Sequence, residues 1–216
     1  MSPKNSNETI WGSDVIASAL RETSIPYACL NPGASYRGLH DSLVNFLGNE
    51  NPKMLLNLHE EHAIAIAQGY AKACNEPLIA IVHSNVGLMH ATMGIFNAWC
   101  DRVPMVIIGA TGPLDAAIRR PHIDWIHTAA DQGGLIRDYI KWDDQPGSPA
   151  TAVDAIRKGK QIACTPPYGP VYICLDSAVQ EMQLDEWPEF NDIGRYQSPP
   201  PPSAPAGAVE AAAEML

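Results

Sequence analysis

LHEEHAIAIAQGYAKA, residues 58–73, joins a predicted strand to a predicted helix, and this junction decides the fold. The apolar run Met54–Leu58 comes first, and a helical pattern over Glu61–Cys74 leads to a second apolar run, Leu78–Val82. Both runs are continuous rather than alternating, which is typical of strands covered on both faces. A strand, a helix and a second strand with short connections predict a βαβ unit of a parallel sheet.

The same alternation of short apolar runs and helical patterns extends over most of the chain. Further strands are predicted at Tyr27–Leu30, Met105–Ile108 and Val171–Leu175, and further helices at Ser13–Glu22, Arg37–Leu47, Leu88–Trp99 and Ala150–Cys164. We therefore predict an α/β fold with an open, mostly parallel sheet and helices on both faces. Residues 112–147 are irregular, and we expect a long connection with one or two short helices that covers a site.

The end of the chain differs in composition from the rest. Trp187-Pro188 and the tract SPPPPSAP at residues 198–205 are typical of an extended, polyproline-like linker. Residues 206–216 then begin a helix that is shorter than the ~12–15 residues an isolated helix needs. We expect one domain over residues 1–186, a Pro-rich linker over 187–205 and, over 206–216, the truncated start of a middle domain.

The composition excludes several classes of function. The 216 residues include 14 Lys and Arg against 24 Asp and Glu, for a formal net charge of −10. An acidic chain without a Lys/Arg cluster is a poor partner for nucleic acid or an anionic membrane, and no apolar run reaches the ~18–20 residues of a membrane span. The five cysteines form no CxxC pair, and the polar start MSPKNSNETI has no signal-peptide apolar region. We therefore expect reduced thiols and a cytoplasmic protein.

Three polar groups follow predicted strands, at the edge where open α/β sheets bind ligands. They are Asn31-Pro32-Gly33, His59-Glu60-Glu61-His62 and His83-Ser84-Asn85-Val86-Gly87. HEEH is one residue shorter than the zinc motif HExxH, so its histidines do not share a helix face and no metal site is expected in this chain. A carboxylate that leads into so apolar a helix would be partly buried, which suits acid–base work. Taken alone, each group also fits a structural role as a turn, an acidic helix start or a packed histidine.

Taken in chain order, these groups resemble the N-terminal, pyrimidine-binding domain of thiamine diphosphate-dependent enzymes, within the acetolactate synthase and benzoylformate decarboxylase group. The most specific feature is a Glu nine residues before the Gly-Tyr of AQGYAKA, which matches Glu60 to Gly69 and leaves Glu61 as a neighbour. The matching stretches are NPGAS (31–35), LHEEHAIAIAQGYAKA (58–73), IVHSNVG (81–87), GIFNAW (94–99), PMVIIGATGP (104–113) and GPVYICLD (169–176).

The resemblance implies a mechanism that centres on Glu60. Its carboxyl group would hydrogen bond N1′ of the cofactor's aminopyrimidine and favour the imino tautomer, which removes the C2 proton of the thiazolium. The resulting ylid attacks the carbonyl group of a 2-oxo acid, CO2 leaves, and the cofactor accepts the electron pair. Protonation then gives an aldehyde (decarboxylation), whereas attack on a second carbonyl group gives a carboligation product, as in acetolactate synthases.

The resemblance also assigns roles to the residues around Glu60. Glu60 and His83 would be catalytic, His83 as a proton relay or as a contact for the substrate-derived adduct. The expected cofactor-binding residues are Pro32, Gly33, Glu60 and Gly87, and the substrate-side candidates are Ala34, Ser35, His83 and His90. Ala34 stands where benzoylformate decarboxylase-like members carry Ser, with Ser35 adjacent, and His90 replaces an Asn that is common in the family.

The Gly-Asp-Gly…Asn-Asn signature of the family's diphosphate- and Mg²⁺-binding half does not occur in this sequence. The resemblance therefore implies that the chain binds only the pyrimidine end of thiamine diphosphate and is inactive alone, with Mg²⁺ in a missing domain. It also implies a homodimer or homotetramer in which the diphosphate-binding domain of a second subunit completes the site. Two alternatives are the pyrimidine-binding subunit of a two-chain decarboxylase and a non-catalytic module of the same fold. Surplus apolar surface on the predicted helices 61–74 and 88–99 favours a subunit interface.

Overall fold

The molecule is built around one parallel sheet of six strands. The computed structural model of the protein describes residues 9–200 and 202–216. The strands are β1 (Ile10–Trp11), β2 (Tyr27–Leu30), β3 (Lys53–Leu56), β4 (Leu78–Ile81), β5 (Met105–Thr111), β6 (Trp142–Asp144), β7 (Pro170–Asp176) and β8 (Gln183–Leu184). The six-stranded sheet has the order β3-β2-β4-β5-β7-β6, and β1 pairs with β8 in a separate antiparallel ribbon.

Two layers of helices cover the sheet. The helices are α1 (Gly12–Glu22), α2 (Arg37–Asp41), α3 (Glu60–Cys74), α4 (Ser84–Cys100), α5 (Pro149–Ala163), α6 (Ser177–Gln180) and α7 (Ala208–Glu214). α3 connects β3 to β4 and α4 connects β4 to β5, so both connections run across the sheet in the same direction. Because such connections are right-handed, α3 and α4 lie on the same face of the sheet. α2 lies between β2 and β3 and α5 between β6 and β7, and these two connections run across the sheet in the opposite direction. α2 and α5 therefore cover the other face, where α1 packs against α5. All residues of β5 and β7 are buried, as expected for strands covered on both sides.

The order of the strands creates a crevice between β2 and β4. The connection after β2 leads outward to β3, whereas the connection after β4 leads the other way to β5. Open α/β sheets bind ligands where two such connections diverge, at the carboxyl ends of the strands. The loops that flank this crevice therefore begin at Asn31 and at Val82.

The predicted fold class is confirmed, and the five predicted strands are all present. The short strands β1, β6 and β8 and the make-up of the connection after β5 differ from the prediction. β6 was not predicted, because the sequence Trp142-Asp143-Asp144 is polar, and a short strand at the sheet edge does not need an apolar run. The connection at residues 112–147 contains four single 3-10 turns and β6 instead of one or two short helices.

The last part of the chain has two different environments. The indole ring of Trp187 stacks on Phe46, with ring centres 6.1 Å apart, and Arg157 of α5 lies over the ring of Phe190. Beyond these contacts, all residues of α7 are exposed. The proposed boundaries at residues 186 and 205 stay predictions. Within residues 9–200 and 202–216, no helix has both the length and the apolar character needed to cross a membrane.

Candidate functional site

The loops after β2 and β4 meet at the crevice, through a contact between Gly33 and His83. A Cβ atom at Gly33 would lie 2.3 Å from Cγ of His83 and 2.5 Å from its Cβ. Gly33 is therefore required by close approach, because any other residue would displace the imidazole. Ser35 of the same loop is buried, and its Oγ lies 2.9 Å from Nδ1 of His83. The predicted residues Gly33, Ser35 and His83 thus form one cluster.

Glu60 enters the crevice from the end of β3. It is the first residue of α3, and His59 caps this helix by accepting a hydrogen bond from the backbone N–H of Glu61. Glu60 is only 6% exposed, yet among the described residues no group donates a hydrogen bond to its carboxylate. A Cβ atom at Gly87 would lie 2.7 Å from Oε1 of Glu60. The carboxylate therefore packs directly on the backbone of the first turn of α4.

Tyr36 is a member of the site that the sequence did not single out. Its side chain is completely buried, and its hydroxyl has no hydrogen-bond partner among the described residues. Burial raises the pKa of this phenol far above its usual range, and the nearby charge of Glu60 raises the pKa further. The Tyr36 ring also contacts His83 edge-on, with ring centres 6.2 Å apart. The only sequence signal was its place directly after Ser35.

His127 is a second residue that sequence reasoning missed. Its ring centre lies 4.8 Å from that of His83, with the planes inclined by 50°. It belongs to the long connection after β5, 44 positions from His83, so no local motif links the two residues. Burial lowers the pKa of His83, and His127 lowers it further, while the negative charge of Glu60 opposes both effects. The crevice therefore holds one buried carboxylate and one imidazole, His83, whose protonated form is disfavoured.

The remaining candidates lie at the rim or elsewhere. Pro32 and Ala34 are exposed beside Gly33. The ring of His90 packs against His59, with ring centres 4.9 Å apart, on the exposed side of α3 and α4. Residues 9–200 and 202–216 contain no group of three His, Cys, Asp or Glu side chains arranged to hold a metal ion.

The chemistry of the cluster suits an uncharged heterocycle with ring nitrogens. Glu60 offers a nearly buried carboxylate without a protein donor, and Tyr36 offers a buried hydroxyl without a protein partner. Buried polar groups normally find a hydrogen-bond partner, so both groups are suited to a ligand. The two glycines, Gly33 and Gly87, leave the walls beside them without side chains. These features fit the aminopyrimidine end of thiamine diphosphate.

Comparison with known proteins shows the family of the chain. Residues 10–135 match the family described as thiamine pyrophosphate enzyme, N-terminal TPP binding domain. The chain is 28% identical over 176 residues to the acetolactate synthase large subunit of Lactococcus lactis subsp. lactis, a match that covers 81% of this chain and 29% of that protein. It is 27% identical over 126 residues to the benzoylformate decarboxylase of Pseudomonas aeruginosa, covering 58% of this chain and 23% of that protein.

Solved structures show the same fold. The crystal structure of benzoylformate decarboxylase from Polynucleobacter necessarius superposes with a TM-score of 0.71 at 22% identity, over 84% of this chain and 32% of that one. A putative thiamin diphosphate-dependent enzyme from Mycobacterium smegmatis gives a TM-score of 0.70 at 21% identity, over 81% and 32% of the two chains. The chain therefore spans less than a third of the length of these relatives.

Proposed function

The chain belongs to the thiamine pyrophosphate enzymes, as the N-terminal TPP binding domain of the acetolactate synthase and benzoylformate decarboxylase-like group, and from this premise we propose that it supplies the acid–base groups of an enzyme that acts on a 2-oxo acid. The observation that carries the proposal is the buried, unpartnered carboxylate of Glu60 in the crevice between β2 and β4. Thiamine diphosphate, when bound, supplies a carbon nucleophile and an acceptor for the electron pair released by decarboxylation.

Glu60 holds the proton that activates the cofactor. Its carboxylate has no protein donor, so a ring nitrogen of the pyrimidine can share a proton with it without displacing a protein contact. Gly87 permits the approach, because a side chain there would push Oε1 out of position. Gly33, which lies against His83, and the adjacent Pro32 would contact the pyrimidine from the loop after β2. Glu60, Gly33, Gly87 and Pro32 are thus the proposed cofactor-binding residues of this chain.

His83 and Ser35 serve the substrate side of the reaction. The 2.9 Å contact between Ser35 Oγ and His83 Nδ1 orients the imidazole and leaves its other nitrogen available to the reacting group. A neutral imidazole can accept a proton at this position and return it to a carbon centre. Ala34 and His90 remain candidates for the rim of the substrate site, from exposed positions.

The site is completed by parts that this chain does not provide. We propose that a diphosphate-binding domain of a second subunit holds the diphosphate and Mg²⁺, within a homodimer or homotetramer. The support is that the chain spans only 29–31% of the length of the acetolactate synthase large subunits from Lactococcus lactis and Haemophilus influenzae. We also propose a cytoplasmic location, because all five cysteines are free thiols.

The decisive test is Glu60→Gln in the complete enzyme. We expect kcat to fall by about 10²–10⁴-fold, because an amide cannot share the proton. The matched control is Glu61→Gln, since this neighbour in the same helix is exposed. A thermal melt of both variants separates loss of chemistry from loss of fold. A Glu60→Gln enzyme with turnover within a few-fold of the parent would remove Glu60 from the mechanism and leave the non-catalytic module as the better interpretation.

A further inference from the structure

A buried amide outside the crevice cluster binds the segment that carries Ser35. Gln180 is the last residue of α6, and its side chain is only 1% exposed. Its Nε2 donates to the carbonyl oxygen of Ser35 at 3.0 Å, and its Oε1 accepts from the backbone N–H of Leu39 at 3.3 Å. Gln180 therefore ties α6 both to the loop after β2 and to α2, across more than 140 positions of the chain.

The orientation of the Gln180 amide follows from its partners. A backbone carbonyl oxygen only accepts hydrogen bonds, and a backbone N–H only donates them. The amide nitrogen faces the carbonyl oxygens of Ser35 and, at 3.5 Å, of Asp176, whereas the amide oxygen faces the N–H of Leu39. Exchange of the two amide atoms would break these contacts, so the side chain has one orientation.

α6 is itself anchored to the sheet. It begins directly after β7, all of whose residues are buried. Asp176, the last residue of β7, caps α6 by accepting a hydrogen bond from the backbone N–H of Ala178 at 2.8 Å. Its other carboxylate oxygen accepts from the backbone N–H of Leu114, in the connection after β5, at 3.0 Å. The position of Gln180 is therefore fixed by the sheet and not by a free loop.

Ser35 links this amide to the imidazole of His83. Its backbone carbonyl oxygen is bound by Gln180, while its Oγ lies 2.9 Å from Nδ1 of His83. A hydrogen bond at Nδ1 selects one tautomer of a neutral histidine and determines which ring nitrogen is available to a ligand. Loss of the Gln180 amide would therefore loosen Ser35 and remove the constraint on the tautomer of His83.

We propose that Gln180 is a positioning residue that holds Ser35 against His83 and thereby sets the tautomer and orientation of this imidazole. Its amide is used by the backbone of the segment after β2, and it acts on the site only through Ser35. The kinetic consequences of this assignment rest on the proposed function, in which His83 acts on the substrate. The coupling of the three side chains does not rest on it.

The coupling is tested by ¹⁵N NMR of the histidine-labelled chain at a pH well above the ordinary pKa of histidine, about 6.5. We expect one tautomer of His83 in the parent and a mixture of both tautomers in Ser35→Ala. Gln180→Met keeps the size of the side chain but removes its hydrogen bonds, and it should give the same mixture. The matched control is Glu181→Gln, which breaks only an exposed ion pair with Arg37 and should keep the parent tautomer.

Kinetics of the complete enzyme supply a second measurement. Gln180→Met and Ser35→Ala should each lower kcat/KM by about tenfold, because a small displacement of a positioned group is costly for catalysis. If Gln180 acts through Ser35, the double variant should lose no more than the larger of the two single losses. Independent losses that multiply to about 100-fold would show a merely structural role for Gln180 and overturn the proposal.

The outcomes separate this inference from the proposed function. An unchanged tautomer in Gln180→Met, or the same mixture in Glu181→Gln, would overturn the positioning role whatever the activity of Glu60→Gln. A single tautomer in Ser35→Ala would overturn it as well, since Ser35 would then not select the tautomer. If Gln180→Met does not fold, Gln180→Asn tests the same contact, because it shortens the side chain by one methylene and withdraws the amide from Ser35.

Discussion

At the scale of single residues, the crevice depends on two glycines as much as on its charged groups. Gly33 lets the imidazole of His83 reach the loop after β2, and Gly87 lets the carboxylate of Glu60 reach the backbone of α4. Neither glycine has a positive φ. Each is required by space rather than by conformation, so substitution acts directly on the position of a functional group.

Gly87→Ala is expected to damage activity more than stability. The added Cβ would meet Oε1 of Glu60 at 2.7 Å, so the carboxylate must move while the core of α4 stays packed. We expect kcat/KM to fall at least about tenfold with a loss of about 1–3 kcal/mol in the free energy of unfolding. Steady-state kinetics and urea unfolding measure the two effects.

The control for this variant is Gly69→Ala. Gly69 lies in α3, and a Cβ atom there meets nothing within 4 Å. Because alanine favours a helix over glycine, this variant should gain about 0.5–1 kcal/mol in the free energy of unfolding and keep its activity. An equal loss of activity in both variants would contradict the role given to Gly87.

His83→Ala should separate two parts of the reaction. In the proposed function Glu60 acts on the cofactor, whereas His83, which contacts Ser35 and His127, acts on the substrate. In the complete enzyme we expect exchange of the cofactor's C2 proton with D2O to stay within a few-fold of the parent. Product formation should fall by about 10²-fold or more. Equal losses in both measurements, or no loss in either, would show that His83 does not have the proposed role.

How much of the site the sequence predicts depends on how local each signal is. Gly33, Ser35, Glu60, His83 and Gly87 all lie within short motifs after strands, and the structure gathers them at one crevice. Tyr36 and His127 could not be selected in this way. Tyr36 is recognised only through its burial without a partner, and His127 only through a contact that depends on the path of the connection after β5.

At the scale of elements, the connection after β5 forms a wall of the site, and one partly buried ion pair shapes this connection. Asp124 is 2% exposed and accepts hydrogen bonds from Arg120, including one from Nη2 at 2.8 Å. Oγ1 of Thr128 donates to the carbonyl oxygen of Asp124 at 2.6 Å. Since His127 lies between Asp124 and Thr128, these contacts hold the backbone that carries its ring.

Asp124→Ala is expected to open this connection without unfolding the sheet. Loss of the carboxylate leaves Arg120 without its partner, which costs about 1–3 kcal/mol of local stability. Hydrogen exchange measured by mass spectrometry should therefore accelerate about tenfold or more over residues 112–128, and little elsewhere. Arg120 lowers the pKa of Asp124, so the parent protein keeps this contact above about pH 4 and loses it as the pH falls further.

The matched control is Asp192→Ala. Asp192 accepts a hydrogen bond from the backbone N–H of Gly194 and caps a single 3-10 turn in another part of the chain. Its removal should leave exchange over residues 112–128 unchanged. Faster exchange across the whole sheet in Asp124→Ala would mean that the pair supports the domain rather than the wall of the site.

The elements themselves divide in the same way between local and non-local signals. β5 and β7 were predicted because strands buried on both faces need continuous apolar runs. β6 lies at the edge beside β7 and owes its conformation to pairing with that strand, which no feature of its own three residues indicates. The apolar pattern of the sequence therefore predicts the central strands of the sheet better than its edge strands.

At the scale of the whole molecule, α4 carries apolar side chains on both of its faces. Leu88, Ala91 and Ile95 pack into the core, while Met89, Met93, Phe96 and Trp99 are 58%, 56%, 40% and 37% exposed. The second set recurs every three or four residues and so forms one stripe. Contiguous exposed apolar surface of this kind usually lies in an interface.

We expect this 216-residue chain to self-associate and to bind thiamine diphosphate poorly. Light scattering should give a mass of at least a dimer, because burial of the exposed apolar residues of α4 against a second copy is favourable. Met93→Glu should lower that mass, whereas Lys158→Glu on the exposed side of α5 should not. A strictly monomeric parent would contradict the interface.

Calorimetric titration tests the second half of this expectation. The described residues place a carboxylate, a phenol and imidazoles in the crevice, none of them a fixed cation suited to a diphosphate. We therefore expect no sub-micromolar binding of thiamine diphosphate with Mg²⁺ to this chain. Tight, Mg²⁺-dependent binding would show that the chain holds the whole cofactor.

The parallel sheet also places the crevice residues at one edge and the turns that enter β4 and β5 at the other. All the residues assigned to the crevice follow the carboxyl ends of strands, whereas the turns that enter β4 and β5 lie at the opposite edge. Two of these turns are formed by Asn75 and Arg102, with φ of 58° and 53°. We therefore expect insertions, tags or fluorescent labels at that edge to leave the crevice intact, because exposed turns tolerate added length.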